Sequence, residues 1–171
     1  MHHIADRLDK INEHVGRTLK WVALTMLLLQ FFVVLLRYIF GYSFIFLGEG
    51  VLYMHAALFM LGAGYTLLHD GHVRVDIFYA KASRATQRKI DILGFIFLMC
   101  PALIFLIIYS WPYVSNSWAI REGAISVGGI PASYLLKTLI PAFAILLLIQ
   151  GTAIFLRNIS GDKGDNDAST T

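Results

Sequence analysis

Four long apolar runs constrain the fold of this 171-residue chain more than any other feature. They lie at about residues 21–40, 44–68, 91–112 and 134–156. Each is long enough to cross a bilayer core as an α-helix, which needs roughly 20 apolar residues. Only 15% of the residues are charged, against about 25% in soluble domains. We therefore predict an all-α integral membrane protein, a single membrane domain over residues 1–171 with four transmembrane helices.

Lysine and arginine are unevenly distributed among the segments that connect these runs. Residues 1–20, the connection between the second and third runs, and the segment after the fourth run are basic. Residues 41–43 hold no cation, and the last connection holds only Arg121. Because short basic segments stay in the cytoplasm, both termini and the middle connection are predicted to be cytoplasmic. This asymmetry accounts for the net charge of +3, so we expect no nucleic-acid partner.

Two segments outside the spans have patterns of their own. Residues 3–20 place apolar side chains at intervals of three and four, which predicts an amphipathic arm helix. These apolar side chains are Ile4, Leu8, Ile11, Val15 and Leu19. We expect the arm to lie in the membrane interface before the chain turns into the first span. Residues 160–171 are polar in composition and are predicted to be disordered.

The connections also carry local signals. Ser83 is the predicted N-cap of a basic segment that leads into the third span, and Pro101 predicts a kink inside that span. The last connection, from Pro112 to Ser133, is too long for a tight turn. Within it, residues 126–131 form a loop of glycine and proline that we expect at the membrane surface.

Three charged residues lie inside the predicted spans, where a charge is costly and marks a candidate site. Arg37 is near the end of the first span, Glu49 is about one turn into the second, and Lys137 is near the start of the fourth. We favour a structural ion pair between Arg37 and Glu49, which a short hairpin connects, with Lys137 reaching to the interface. Pairing with charges on a partner protein stays open, as does an ion-carrying role in a small exporter. Glu49 is close to one end of its span, which argues against the carrier role.

The histidines and the single cysteine predict no cofactor or catalytic set. Only His55 is deep in a span, whereas a haem held between helices needs two histidines at matched depth. The segment 69–76 holds two histidines and two aspartates but no second element to close a coordination sphere. We expect no catalytic, cofactor-binding or metal-binding residues, and no enzyme. The alternative that remains open is a membrane anchor subunit of a haem- or quinone-linked redox enzyme.

Several motifs follow one another along the chain. They are Arg37-Tyr38-Ile39-Phe40-Gly41, Leu47-Gly48-Glu49, Gly71-His72-Val73-Arg74-Val75-Asp76 and Gly128-Gly129-Ile130-Pro131, followed by Lys137, Pro141 and Gln150-Gly151. In this order, over about residues 15–157, they resemble the small membrane subunit of tripartite ATP-independent periplasmic (TRAP) transporters, the DctQ-like family.

The resemblance implies a function and partners. It implies a small accessory or scaffold subunit in the bacterial inner membrane, bound to a large polytopic TRAP membrane subunit that carries the sodium coupling. A periplasmic binding protein would deliver an organic acid, and membrane lipids would surround the complex. The resemblance implies no catalytic role for any residue. The candidates for structural or subunit-interface contacts are Arg37, Glu49, Lys137, His72, Arg74 and Asp76.

Overall fold

The computed structural model describes residues 2–72, 79 and 82–165, and the regular structure in these ranges is helical. Its elements are α1 (His2–Ile39), α2 (Ile45–Leu68), α3 (Arg84–Gly94), α4 (Cys100–Ala119) and α5 (Ser133–Asp165), with a π-helical segment Phe95–Met99 that joins α3 to α4. Four stretches are long and apolar enough to cross a membrane, namely His3–Ile39, Ile45–Leu68, Arg84–Ala119 and Ser133–Ser160. The predicted all-α protein with four spans is therefore confirmed.

Helix α5 is the centre of the bundle. It contacts α1, α2, α3 and α4. In its most apolar stretch 33% of the residues are buried, against 6% in each of the other three spans. The other spans consequently turn most of their apolar side chains outward, as expected where lipid rather than water is the solvent.

The two ends of the bundle differ in what they hold. We call the end with residues 40–44 and 120–132 the connection end. The opposite end, where α1 begins and α2 and α5 finish, is the terminal end. Residues 160–165, the first part of the tail that was predicted to be disordered, belong to helix α5, which reaches Asp165. Residues 166–171 lie outside the described residues.

Helix α1 combines the predicted arm and the first span in one element of 38 residues. The predicted turn between the arm and the first span is therefore absent, because the helix continues without a break from residue 20 to residue 21. No proline interrupts the sequence at this point. The helix also packs closely on α2 at Gly16, where a Cβ would lie 2.0 Å from a ring carbon of Tyr65. At 1.5 Å per residue the helix is about 57 Å long, well beyond a bilayer core of about 30 Å. Interfacial placement of residues 3–20 stays a prediction.

The third span begins earlier and ends later than predicted. Ser83 caps α3, since its hydroxyl accepts from the Thr86 amide at 3.3 Å, which confirms the predicted N-cap. The π-helical segment ends two residues before Pro101, which is the second residue of α4. The wider helical turn fits a position where proline removes an amide donor. Pro112 lies inside α4 instead of ending it, so the last connection is residues 120–132.

Candidate functional site

Glu49 holds the last connection against α2. Its side chain is buried, at 6% exposure. One carboxylate oxygen accepts from the backbone N–H of Ser126 at 3.1 Å, and the other accepts from the N–H of Ile130 at 2.7 Å. Hydrogen bonds to a charged acceptor are among the stronger ones in proteins. The carboxylate therefore fixes a glycine-rich loop on the connection end of α2. We call Glu49, Ser126, Gly129 and Ile130 the Glu49–loop contact.

Gly129 makes this contact possible. A Cβ at this position would lie 2.2 Å from a carboxylate oxygen of Glu49, far inside van der Waals distance. The neighbouring Gly128 has φ +82°, in the left-handed region that favours glycine. The paired glycines thus serve two purposes, a backbone turn at Gly128 and a close approach at Gly129.

Arg37 lies elsewhere. It is an exposed residue in the last turn of α1, where a cation interacts favourably with the helix dipole. In the part of the chain that the structure describes, no hydrogen bond or ion pair joins Arg37 to Glu49. The structure therefore brings Glu49 to a loop far along the chain and leaves Arg37 on the surface.

Lys137 pairs with Glu122, a residue of the last connection. Its ammonium donates to Glu122 Oε2 at 2.5 Å and lies 3.9 Å from the centroid of the Tyr113 ring. Ser117 Oγ donates to the same carboxylate oxygen at 2.6 Å. These two donors, Lys137 first, lower the pKa of Glu122 below its ordinary value. The cation–π contact and the ion pair direct the lysine toward the connection end.

A second polar network joins α1 to α5 at the terminal end. Asn12 and Gln150 are both fully buried, and Asn12 Nδ2 donates to Gln150 Oε1 at 3.0 Å. Gln150 Nε2 donates to Asp9 Oδ1 at 2.9 Å, and Arg157 donates to the other oxygen of Asp9 and, at 3.2 Å, to Asp6. We call these five residues the Asn12–Gln150 network. It ties the amphipathic segment to the central helix.

The remaining predicted candidates are near the middle connection or outside the described residues. His72 is exposed just beyond α2, and Arg74 and Asp76 fall outside the described residues.

The other histidines of α2 and its end do not form a ligand set. His55 lines an open groove between α2 and α5, whereas His69 is the C-cap residue of α2. Among the described residues, no three histidine, cysteine, aspartate or glutamate side chains come together as a metal site.

Sequence reasoning did not single out Glu122 or Asn12, and it named Gln150 only as part of the motif Gln150-Gly151. Glu122 follows Arg121 in the last connection, and it is the acid closest in sequence to Lys137. Gln150 is an isolated polar residue in an apolar span, which is itself a signal for a buried hydrogen bond. The common feature of the Glu49–loop contact, the Glu122–Lys137 pair and the Asn12–Gln150 network is that polar side chains join helices and loops of the chain itself.

The fold and these contacts define a class of protein, a multi-pass membrane protein in which the span residues Glu49 and Lys137 connect elements of the chain itself. A family comparison then identifies it: the sequence model of the tripartite ATP-independent periplasmic transporters, DctQ component, matches residues 26–161. The chain belongs to the DctQ family and is a small membrane component of a TRAP transporter, not an enzyme. No curated protein and no solved structure matches the chain.

Proposed function

We propose that this chain is the scaffold subunit of a sodium-coupled TRAP transporter. In this proposal it binds the large polytopic membrane subunit and supports uptake of an organic acid that a periplasmic binding protein delivers. The orientation we propose has both termini in the cytoplasm, because the basic segments flank the terminal end. Sodium coupling and substrate recognition are assigned to the partner subunits.

The internal partners of Glu49 and Lys137 are the observation that carries this proposal. A residue that carries an ion across a membrane must exchange partners during transport. Glu49 instead accepts from two loop amides, and Lys137 is engaged by Glu122 and Tyr113. Both residues lie at the connection end rather than midway along their helices. Their positions and partners suit the stabilisation of a fixed framework.

We further propose that Arg37 contacts the large subunit. Its guanidinium is exposed at the end of α1 among large exposed apolar side chains, including Phe40 and Tyr38. A planar guanidinium with five donors suits an acidic or carbonyl-rich partner surface. His72, Arg74 and Asp76 remain candidates for a second contact beside the middle connection.

Co-purification tests the proposal. A tagged form of this chain is expressed with the large membrane subunit encoded beside it, extracted in mild detergent and captured by the tag. We expect the two proteins to elute together and Arg37→Ala to lower the recovered partner. Arg7→Ala, which removes an exposed cation at the terminal end, is the matched control and should leave recovery unchanged. Elution of the chain without the large subunit in detergent and in nanodiscs would refute the assignment.

A further inference from the structure

An apolar groove runs along the bundle between α2 and α5. Its volume is about 480 Å³, and its apolar walls include Leu52, Ala56 and Met60 of α2 and Leu136 and Ile140 of α5. From Leu52 to Met60 the groove follows α2 for about 12 Å at 1.5 Å per residue. This is close to the depth of one leaflet, about half of a 30 Å bilayer core.

A second cavity joins the groove at the connection end. It has a volume of about 390 Å³, and both cavities are lined by Tyr113, Leu136 and Lys137. Unlike the groove, this cavity holds two opposite charges and a hydroxyl, from Lys137, Glu122 and Ser133. The combined space is therefore apolar along the span and charged at the membrane boundary.

The two charges retain hydrogen-bonding capacity. An ammonium has three donors and a carboxylate has about four lone-pair sites. Lys137 gives one donor to Glu122, and Glu122 accepts from Lys137 and Ser117 through one oxygen. A ligand with a phosphate and a primary ammonium could accept from Lys137 and donate to the other oxygen of Glu122.

We propose that this composite cavity binds one phospholipid of the phosphatidylethanolamine type. One acyl chain lies in the groove between α2 and α5, the phosphate accepts from Lys137, and the headgroup ammonium donates to Glu122.

A lipid suits the space better than a helix of another subunit. An apolar helix face packed over the groove would leave the unused donors of Lys137 and the second carboxylate oxygen of Glu122 without a partner. This inference depends on the geometry of this chain alone and is independent of the proposed function.

Native mass spectrometry of the purified full chain tests the inference. The chain is titrated with phosphatidylethanolamine, phosphatidylglycerol and phosphatidylcholine that carry the same acyl chains. We expect phosphatidylethanolamine to bind about tenfold more tightly than the other two. Only its headgroup has a cationic N–H donor for Glu122 in addition to the phosphate, whereas the hydroxyls of phosphatidylglycerol are neutral donors and phosphatidylcholine has no N–H. Glu122→Gln should abolish that preference, and Lys137→Gln should weaken binding of all three lipids.

Filling the groove provides a test that leaves the charged pair intact. Ala56→Phe places a ring in the groove and should weaken binding of all three lipids about tenfold. Ala102→Phe, at an exposed position of α4 that does not line the groove, is the matched control and should bind lipid as the native chain does. Equal affinity for the three lipids, or full binding by Ala56→Phe, would overturn the proposal.

Discussion

Removing the Glu49 carboxylate should release the last connection from α2. Glu49→Ala deletes the acceptor for the amides of Ser126 and Ile130. Each hydrogen bond to a charged group contributes about 1.5–3 kcal/mol. Since water can partly replace the lost acceptor, we take the lower end for both bonds. The free energy of opening the loop should fall by about 3 kcal/mol, so both amides should exchange hydrogen about 100-fold faster.

Gly129 allows the same contact to be tested from the loop side. The backbone φ of Gly129 lies outside the left-handed region, so alanine fits the backbone conformation. The obstacle is steric, because the Cβ of alanine would lie 2.2 Å from Glu49 Oε2. We expect Gly129→Ala to destabilise the loop by about 1–3 kcal/mol through overpacking. In the Glu49→Ala background the obstruction is gone, so Gly129→Ala should cost much less. The difference is the coupling energy of a double-mutant cycle.

Hydrogen exchange measured by mass spectrometry on loop peptides, with thermal unfolding in detergent, reads out both effects. Gly123→Ala is the matched control, because a Cβ at Gly123 meets nothing within 4 Å. It should leave exchange unchanged. The reasoning is refuted if the amides of residues 126 and 130 exchange at native rates in Glu49→Ala. It is equally refuted if Gly129→Ala costs the same with and without Glu49.

Three further predictions concern other polar groups. Arg37→Ala should change the thermal stability of the isolated chain by less than about 0.5 kcal/mol, and a larger loss would indicate an internal partner. Gln150→Leu should destabilise the bundle by about 1–3 kcal/mol in thermal unfolding, since Asn12 and Asp9 lose a partner; native stability would contradict this. The pKa of Glu122 is lowered in the folded chain, so the carboxylate stabilises the fold. This stabilisation is complete above the ordinary pKa of 4.5 and is lost as the pH falls through the lower pKa of the folded state. Glu122→Gln should make the thermal stability depend less on pH in the acid range. An unchanged dependence on pH would show that another group is responsible.

The number of spans could be predicted because it depends on a strong physical requirement. A bilayer admits only segments whose backbone polar groups are hydrogen-bonded internally. A run of about 20 apolar residues is therefore predicted to be a membrane-spanning helix. Local signals with a direct mechanism succeeded too, as the cap at Ser83 illustrates. Pro112 was misleading because the helix continues through it, and proline is tolerated in membrane helices where neighbouring groups compensate for the missing amide.

The inward face of α1 could not be read from its apolar stripe. Ile4 is 56% exposed and Ile11 is 43% exposed, whereas Ala5, Asn12 and Gly16 are buried. Leu19, the last residue of the stripe, is buried at 8% exposure, but the other buried positions of this segment are small or polar residues. The periodicity thus identified the helix without identifying its packing face.

The partner of Glu49 was hidden for a different reason. Arg37 is its nearest opposite charge across a short hairpin, so residue types favoured that pair. The actual donors are backbone amides of residues 126 and 130, which any amino acid except proline supplies. The only trace in the sequence is a pair of glycines, and glycine pairs serve many purposes. Contacts of this kind become visible only in three dimensions.

Reconstituted transport tests the central claim most directly, that this chain supports transport without carrying the transported ion or substrate. Uptake of labelled organic acids is measured in proteoliposomes under a sodium gradient, with this chain alone or together with the large subunit and the binding protein. We predict sodium-dependent uptake by the complete assembly and none by this chain alone. Uptake by vesicles that contain only this chain would contradict the account.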